Sequence, residues 1–309
     1  MEPNLGLGMG WIPDIPSISD YTPETPSIAE IITRNNEVVR SAAAAPSRGT
    51  RRGGGGAATA VAYAPGAAAQ VDLRPWFSTV ENQGGIGSCT ANAAVGLVEY
   101  FERRAFGKYL DASRMFVYKT TRNMLGWKGD TGAYIRSAMG ALALFGAPPE
   151  RYWPYVEAQF DAEPTPFCYA FGQNYKAIQY YRLDNTGVTP AALLQAIKDK
   201  LTAGFPAMFG FPCYEEFMHV PADAKVAFPA KNSKLYGGHA IVAAGYDDNM
   251  MIGQDKGALL IRNSWGTGWG DKGYAWMSYR YVTEGLALDW WSLLKCDWVE
   301  TGQFGLVMP

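Results

Sequence analysis

The stretch GGHAIVAAGYDDNMMIGQDKGALLIRNSWGTGWGDKGY, Gly237 to Tyr274, decides what kind of fold this chain adopts. It holds two short apolar runs, HAIVAAGY and GALLIRNS, each bounded by glycine and turn residues, the pattern of two strands joined as an antiparallel hairpin. Pairing His239 with Asn263 places Tyr246 opposite Lys256 and leaves 247–255 as the connecting loop. That register sets an amide beside an imidazole. An amide oxygen accepting from one ring N–H fixes the tautomer and presents the other nitrogen to a neighbouring group. The other histidine, His219 in EEFMHVPAD, has no such partner in sequence and reads as a surface or packing residue.

A group for the free nitrogen to act on stands far upstream. In NQGGIGSC, Asn82 to Cys89, three glycines and a serine lead into a cysteine. Ser88 to about Phe106 reads as a helix, with Ala94, Leu97, Val98 and Phe101 on one face and Gly107 suited to its end. Cys89 therefore lies in the first turn, where the positive end of the backbone dipole favours thiolate and lowers the pKa below the free value of about 8.5. A helix-start cysteine alone is more often a small buried residue. A catalytic reading needs a base, an orienter for it and oxyanion donors. Further helices are expected near 111–124, 131–145 and 189–203, the last opened by Thr189 with Pro190 at its first position. From about 205 the signal turns to strands, so helices gather in one part of the chain and strands in the other, an α+β pattern.

Composition bounds the function. The chain has 309 residues, 48% hydrophobic and 18% charged, with a net charge of −2, so no field attracts nucleic acid or an anionic membrane surface. No run of about 18 apolar residues indicates a membrane span. The start has neither a basic n-region nor an apolar h-region, which as written implies a cytoplasmic protein or export by a non-standard route. Cys89, Cys168, Cys213 and Cys296 form no disulfide framework, and without a CxxC pair they offer no zinc site.

Taken together, NQGGIGSC, GGHAIVAAGY and IRNSWGTGWGDKGYAWM resemble the three signature blocks of the papain-like cysteine proteases, in that family's order, over most of 71–285. The resemblance implies a two-lobed α+β fold: a helical lobe, about 71–185, and a lobe around an antiparallel barrel-like sheet, about 186–309, with the cleft between them. It implies a cysteine endopeptidase acting through a thioester acyl-enzyme, with Cys89 as nucleophile, His239 as base, Asn263 as its orienter and Gln83 as an oxyanion donor. Trp265 would shield the His239–Asn263 bond, GDTGAYIRSAM would bind substrate backbone through Gly132 and Ala133, and Trp265 and Gly238 are further expected substrate-binding residues. No cofactor and no metal are implied, and the partner is a protein or peptide substrate. Ile86 and Asp130 stand where eukaryotic members carry a disulfide, Thr90 replaces the usual tryptophan, and Ala133 replaces a glycine, a set that fits a bacterial or viral branch. Acyl or amide transfer on the same machinery, or a catalytically inactive peptide binder, are the alternatives.

The first seventy residues are not needed by such a domain. Residues 1–45 contain a helix in SIAEIITRNNEVVRSA, with Ser27 as N-cap and Glu30 completing a capping box, and 46–70 read as a flexible linker. Trp11, Ile12, Ile15, Tyr21, Ile31 and Ile32 are apolar anchors on a stretch too short to own a core. The expectation is an autoinhibitory prosegment laid across the cleft of its own chain, released by proteolysis within SRGTRRGGGG; the alternative is a disordered tail or a docking segment for a partner.

Overall fold

The structure is a computed structural model that describes residues 7–34, 68–175 and 179–295. The linker through residue 67, including SRGTRRGGGG, and Cys296 lie outside the described residues. Among the described residues Cys89, Cys168 and Cys213 are free thiols.

The strands are β1 (Gln70–Asp72), β2 (Gln179–Arg182), β3 (Ala207–Tyr214), β4 (Lys225–Val226), β5 (Leu235–Ile252), β6 (Asp255–Arg262), β7 (Tyr274–Ser278) and β8 (Leu288–Leu294). They form one sheet in the order β2-β8-β3-β5-β6-β7-β4, with β1 on the free edge of β5. Pairing is antiparallel throughout except between β4 and β7. The path is open, so the barrel-like sheet expected from the sequence is a sheet whose ends do not pair. β1 and β2 come from the span expected to form the helical lobe, so the chain crosses between the lobes at both places.

The β5–β6 hairpin corrects the register read from the sequence. Tyr246 faces Leu259 instead of Lys256, and pairing continues to Ile252 and Asp255 around a tight turn in which Gly253 has φ 59. The polar run after Tyr246 looked like a loop because strands are poor in aspartate and asparagine. Here Asp248 accepts from Lys198 and Tyr279, so its charge is met and the strand continues. Two irregularities, between Ala243 and Gly245 and between Asp247 and Met251, absorb the extra residues. His239 consequently pairs with Phe211 of β3, and Asn263 lies just past the end of β6.

The helices expected from the sequence are found near their positions, and three short ones were not anticipated. A first helix, α1, is described over 26–34. The others are α2 (Cys89–Phe106), α3 (Arg114–Met124), α4 (Ile135–Phe145), α5 (Pro166–Gly172), α6 (Pro190–Thr202), α7 (Glu215–Met218) and α8 (Arg280–Thr283). Gly107 ends α2 with φ 71, and the Thr189 side chain caps α6 by accepting from the Ala192 amide. α1 begins at Pro26, which puts Thr25 at the cap and Ser27 inside the helix, contrary to the capping box read from the sequence. α2 was read as buried on one face, yet Thr90, Asn92, Glu99 and Arg104 are buried as well as its apolar residues. It packs as a central rod against β5, and Gly96 leaves room there for the Arg262 guanidinium, whose Nη1 lies 2.6 Å from where a Cβ would be.

Candidate active site

Cys89 is the first residue of α2 and fully buried. The loop before it is fixed from several sides. The Gln83 amide N–H donates to the Ser264 carbonyl at 2.8 Å, the Tyr155 hydroxyl donates to the Gln83 carbonyl at 2.7 Å, and the Gly85 amide donates to Glu157 at 2.8 Å. At the position where the resembling family's eukaryotic members carry a disulfide, the Gly87 amide donates to Asp130 Oδ1 at 2.8 Å. The same carboxylate accepts from Tyr118, whose oxygen also accepts from the Gly132 amide at 3.2 Å. A charge-assisted network therefore ties the loop before Cys89 to the Gly132–Ala133 edge.

His239 and Asn263 meet despite the altered register. His239 Nε2 lies 2.8 Å from Asn263 Oδ1, so Nε2 carries the hydrogen and Nδ1, buried and without a hydrogen-bond partner, keeps its lone pair. The Trp265 ring stacks on the imidazole at 4.6 Å between centroids and 22° between planes, with the ring of Phe217 at 5.7 Å. Burial pushes the Cys89 thiol up to about 11, outweighing the backbone amides of Ala240, Gly10, Thr90 and Cys89 itself that favour thiolate. Burial also pulls His239 down to about 4, against the Asn263 hydrogen bond. The lowered thiol pKa expected from the helix dipole is thus reversed here: burial disfavours the charged form of both groups, and no hydrogen bond joins the Cys89 thiol to His239 Nδ1.

The chain's own N-terminal stretch lies over the loop before Cys89, while the His239 ring packs against Phe211, Phe217 and Trp265. The Gly8 amide donates to the Gly84 carbonyl at 2.9 Å, and Gln83 Nε2 donates to the Gly8 carbonyl at 3.0 Å. The amides of Gly10 and Trp11 both donate to the Gly238 carbonyl, at 3.0 and 3.1 Å. Trp11 bridges Ala133 in parallel, with the Ala133 amide donating to Gly10 and the Ile12 amide donating to Ala133. Gly132, Ala133, Gly238, Gln83 and Cys89 therefore line one groove, and residues 8–12 fill it. Of the expected anchors, Trp11 and Ile31 are buried and Ile12 and Ile32 half-buried, while Ile15 and Tyr21 are exposed. Ile28, fully buried, takes the place on α1 that a helical period from Ile31 would have pointed to.

Sequence reasoning missed two positioning groups. Ser264 Oγ donates to Gln83 Oε1 at 2.5 Å, which turns Nε2 toward the groove, and the Ser264 amide holds Asn263 Oδ1 at 2.8 Å. Its only signal was its place between Asn263 and Trp265. Asp289, fully buried at the base of the groove, carried no signal at all. Among the described residues Glu81, Asp111 and Glu150 lie close enough together to suggest a cation, but Arg114 already pairs with Glu81 at 2.9 Å and Glu150 at 2.8 Å. No helix among the described residues is long and apolar enough to cross a membrane.

A model of the papain family cysteine proteases matches residues 67–287. A peptidase C1-like protein of Acanthamoeba polyphaga mimivirus is 34% identical over 216 residues, 68% of this chain and 68% of that protein. Papain of Carica papaya is 30% identical over 201 residues, 63% of this chain and 50% of papain. Among solved structures, xylellain, a cysteine protease from Xylella fastidiosa, superposes with a TM-score of 0.70 at 31% identity, covering 94% of this chain and 97% of xylellain. A viral and a bacterial relative accord with the branch expected from Ile86 and Asp130. The chain spans half to about two thirds of the length of the curated relatives it matches.

Proposed function

Because the chain belongs to the papain family of cysteine proteases, we propose that it is a cysteine endopeptidase whose N-terminal segment holds the full-length form inactive. The observation that carries this reading is the His239 ring, fixed through Nε2 by Asn263 with Nδ1 buried and without a hydrogen-bond partner, on the strand β5 against which the Cys89-bearing helix α2 packs. Once the segment withdraws, water reaches the pair and relieves the desolvation that keeps it neutral. The Cys89 proton passes to His239 Nδ1, and the thiolate attacks a peptide carbonyl. The developing oxyanion takes hydrogen bonds from the Cys89 amide and from Gln83 Nε2, which now holds the Gly8 carbonyl. His239 then gives its proton to the leaving amine, and water attacks the thioester with the imidazole again as base. Asn263 keeps the tautomer through both halves of the reaction, and Trp265 keeps solvent off their hydrogen bond.

The occluding role of the segment is supported by its place, since residues 8–12 use the backbone groups a substrate would need. Arg136 adds a clasp further along, reaching Asp20 at 3.0 Å and Asp14 at 3.3 Å. The test combines labelling and products. A thiol alkylator should modify Cys89 far faster than Cys168 or Cys213 in chain whose segment has been displaced, and mass spectrometry of a peptide substrate should give free carboxyl products. Products joined to an added amine would point to acyl transfer, and labelling without turnover to a peptide binder.

A further inference from the structure

The loop that carries Gln83 is held from behind by a chain of polar groups that begins at Arg114, the first residue of α3. Arg114 is buried and reaches in three directions. Its Nη2 donates to Glu150 Oε1 at 2.8 Å, its Nε donates to Glu150 Oε2 at 3.2 Å and lies 2.9 Å from Glu81 Oε2, and its Nη1 donates to Asn92 Oδ1 at 3.2 Å. The guanidinium also lies over the Tyr155 ring, 4.2 Å from its centroid.

The supply of hydrogens fixes the direction of every later link. Arg114 takes the Asn92 oxygen, so the Asn92 amide nitrogen faces Ser88 and donates to the Ser88 carbonyl and to Ser88 Oγ, both at 3.0 Å. Tyr155 gives its one hydroxyl hydrogen to the Gln83 carbonyl at 2.7 Å, so in the 2.5 Å contact between the two hydroxyls Ser88 is the donor. Donors therefore run one way, from the guanidinium through Asn92, Ser88 and Tyr155 to the Gln83 backbone, and each bond polarises the next. On the other side of Arg114, the Glu81 carbonyl accepts from the Gly266 amide at 2.9 Å, which pins the approach to Gln83 against the turn after Asn263.

We propose that Arg114 is a positioning residue for the reaction, setting the spacing between Gln83 Nε2 and the Cys89 amide from behind the loop. This rests on the peptidase reading above, in which those two groups hold the oxyanion. Ser88, which directly precedes Cys89, and Gln83 are the two places where the donor chain meets the loop. Only a planar fork reaches Glu81, Glu150 and Asn92 at once while covering an aromatic ring. Lysine keeps a charge for the two glutamates but leaves the Asn92 oxygen without its donor and removes the plane beside Tyr155, so the loop loses its register while the nucleophile and base stay in place. A small misplacement of an oxyanion donor costs rate and spares substrate affinity.

The experiment measures kcat, KM and melting temperature on an internally quenched peptide, in the full-length chain carrying Trp11→Ala, which takes the largest side chain of residues 8–12 out of the groove. Arg114→Lys should lower kcat about tenfold to a hundredfold with KM within about threefold of the parent. A haloacetamide, whose reaction needs no oxyanion site, should label Cys89 within about twofold of the parent rate. Placed on top of Gln83→Ala, the same substitution should cost less than about threefold, because the donor it positions is already gone. Tyr155→Phe, which keeps the ring and breaks the last link, should show the same pattern more weakly and carries the test where Arg114→Lys fails to fold. A kcat within about twofold of the parent for both variants, or an equal loss with and without Gln83, overturns the proposal and leaves the peptidase reading in place. Absence of any cleavage by the parent counts against the peptidase reading, and the positioning role falls with it.

Discussion

Replacing Gly10 with alanine should raise the activity of the full-length chain on a small fluorogenic peptide about a hundredfold. A Cβ there would stand 1.8 Å from the Gly87 carbonyl oxygen and 2.3 Å from its carbon, backbone against backbone, with no rotamer to relieve it. Gly10 is not among the residues with positive φ, so alanine strains nothing in the free segment and acts only on its fit. The fit is worth a few kcal/mol. The Trp11 side chain buries on the order of 200 Å², about 5 kcal/mol at about 25 cal/mol/Å². The hydrogen bonds of residues 8–12 add on the order of 3 kcal/mol net, and ordering that stretch opposes by about 5 kcal/mol. A hold of about 3 kcal/mol leaves roughly one chain in a hundred open, and losing it frees the rest. The assay compares kcat/KM and melting temperature for the parent, Gly10→Ala, Gly8→Ala, whose Cβ would meet the Ile86 carbonyl oxygen at 1.9 Å, and Ile18→Ala as a fully exposed control. Rates for both glycine variants within about twofold of the parent, with melting unchanged, would refute the occlusion.

The remaining predictions concern the site itself, measured in the Gly10→Ala background. Cys89→Ala and His239→Ala should each remove several powers of ten in kcat/KM with the fold intact, and Asn263→Ala should lose less because the ring stays in place; a rate within about tenfold of the background for either of the first two contradicts their roles. Gln83→Ala should lose roughly 10²–10³ in kcat with KM little changed, and Ser264→Ala, which frees Gln83 Oε1, should lose less; a pure rise in KM would make Gln83 a substrate-binding group. Asp130→Ala should lower the melting temperature, since it strips acceptors from the Gly87 amide and Tyr118 together, with a cost of about 1.5–3 kcal/mol for each bond to the charged group. Alkylation of Cys89 in the parent should climb about tenfold per pH unit from neutrality, because a thiol raised to about 11 stays protonated below that value; Gly10→Ala should instead show a plateau near neutral pH, and a parent with the same plateau counts against the burial argument.

Much of this site was legible because its chemistry sits at conformationally demanding places. A cysteine after three glycines and before an apolar helix, and a histidine between two glycines and an apolar run, are legible in one dimension. The pairing of His239 with Asn263 was anticipated for the wrong reason. Hairpin counting put them opposite each other, whereas two irregularities in β5 and a turn at Gly253 shift the ladder. The contact survives because Asn263 has left the strand and His239 faces the same groove. Bulges leave no mark in a period-two pattern until the partner strand is known. Asp289 was illegible for a related reason, since its partners Arg182 and Trp11 are both far away in sequence.

The occluding stretch follows the period of an extended chain. Gly8 and Gly10 lie against the Ile86 and Gly87 carbonyls, on the side of the loop before Cys89, while Met9 touches Gly237 and Trp11 enters a slot between Gly210 and Gly238. Alternate residues thus face the two walls of the groove: no side chain where the nucleophile loop approaches, large ones where the sheet leaves room. On the occlusion proposed above, a strand seated this way would exclude water as well as substrate. Burial is the leading cause of both shifts, and at His239 the rings of Phe211, Phe217 and Trp265 supply part of it, so withdrawal of the stretch would bear first on the Cys89 thiol. Moving a proton from Cys89 to His239 on opening neither takes up nor releases one, so opening near neutrality is not driven by pH through this pair. It follows that the rate gain and the neutral plateau in labelling must appear together in Gly10→Ala. A variant that turns over peptide quickly yet labels with the parent's steep profile would separate the steric block from the desolvation, and the second half of the argument would fall.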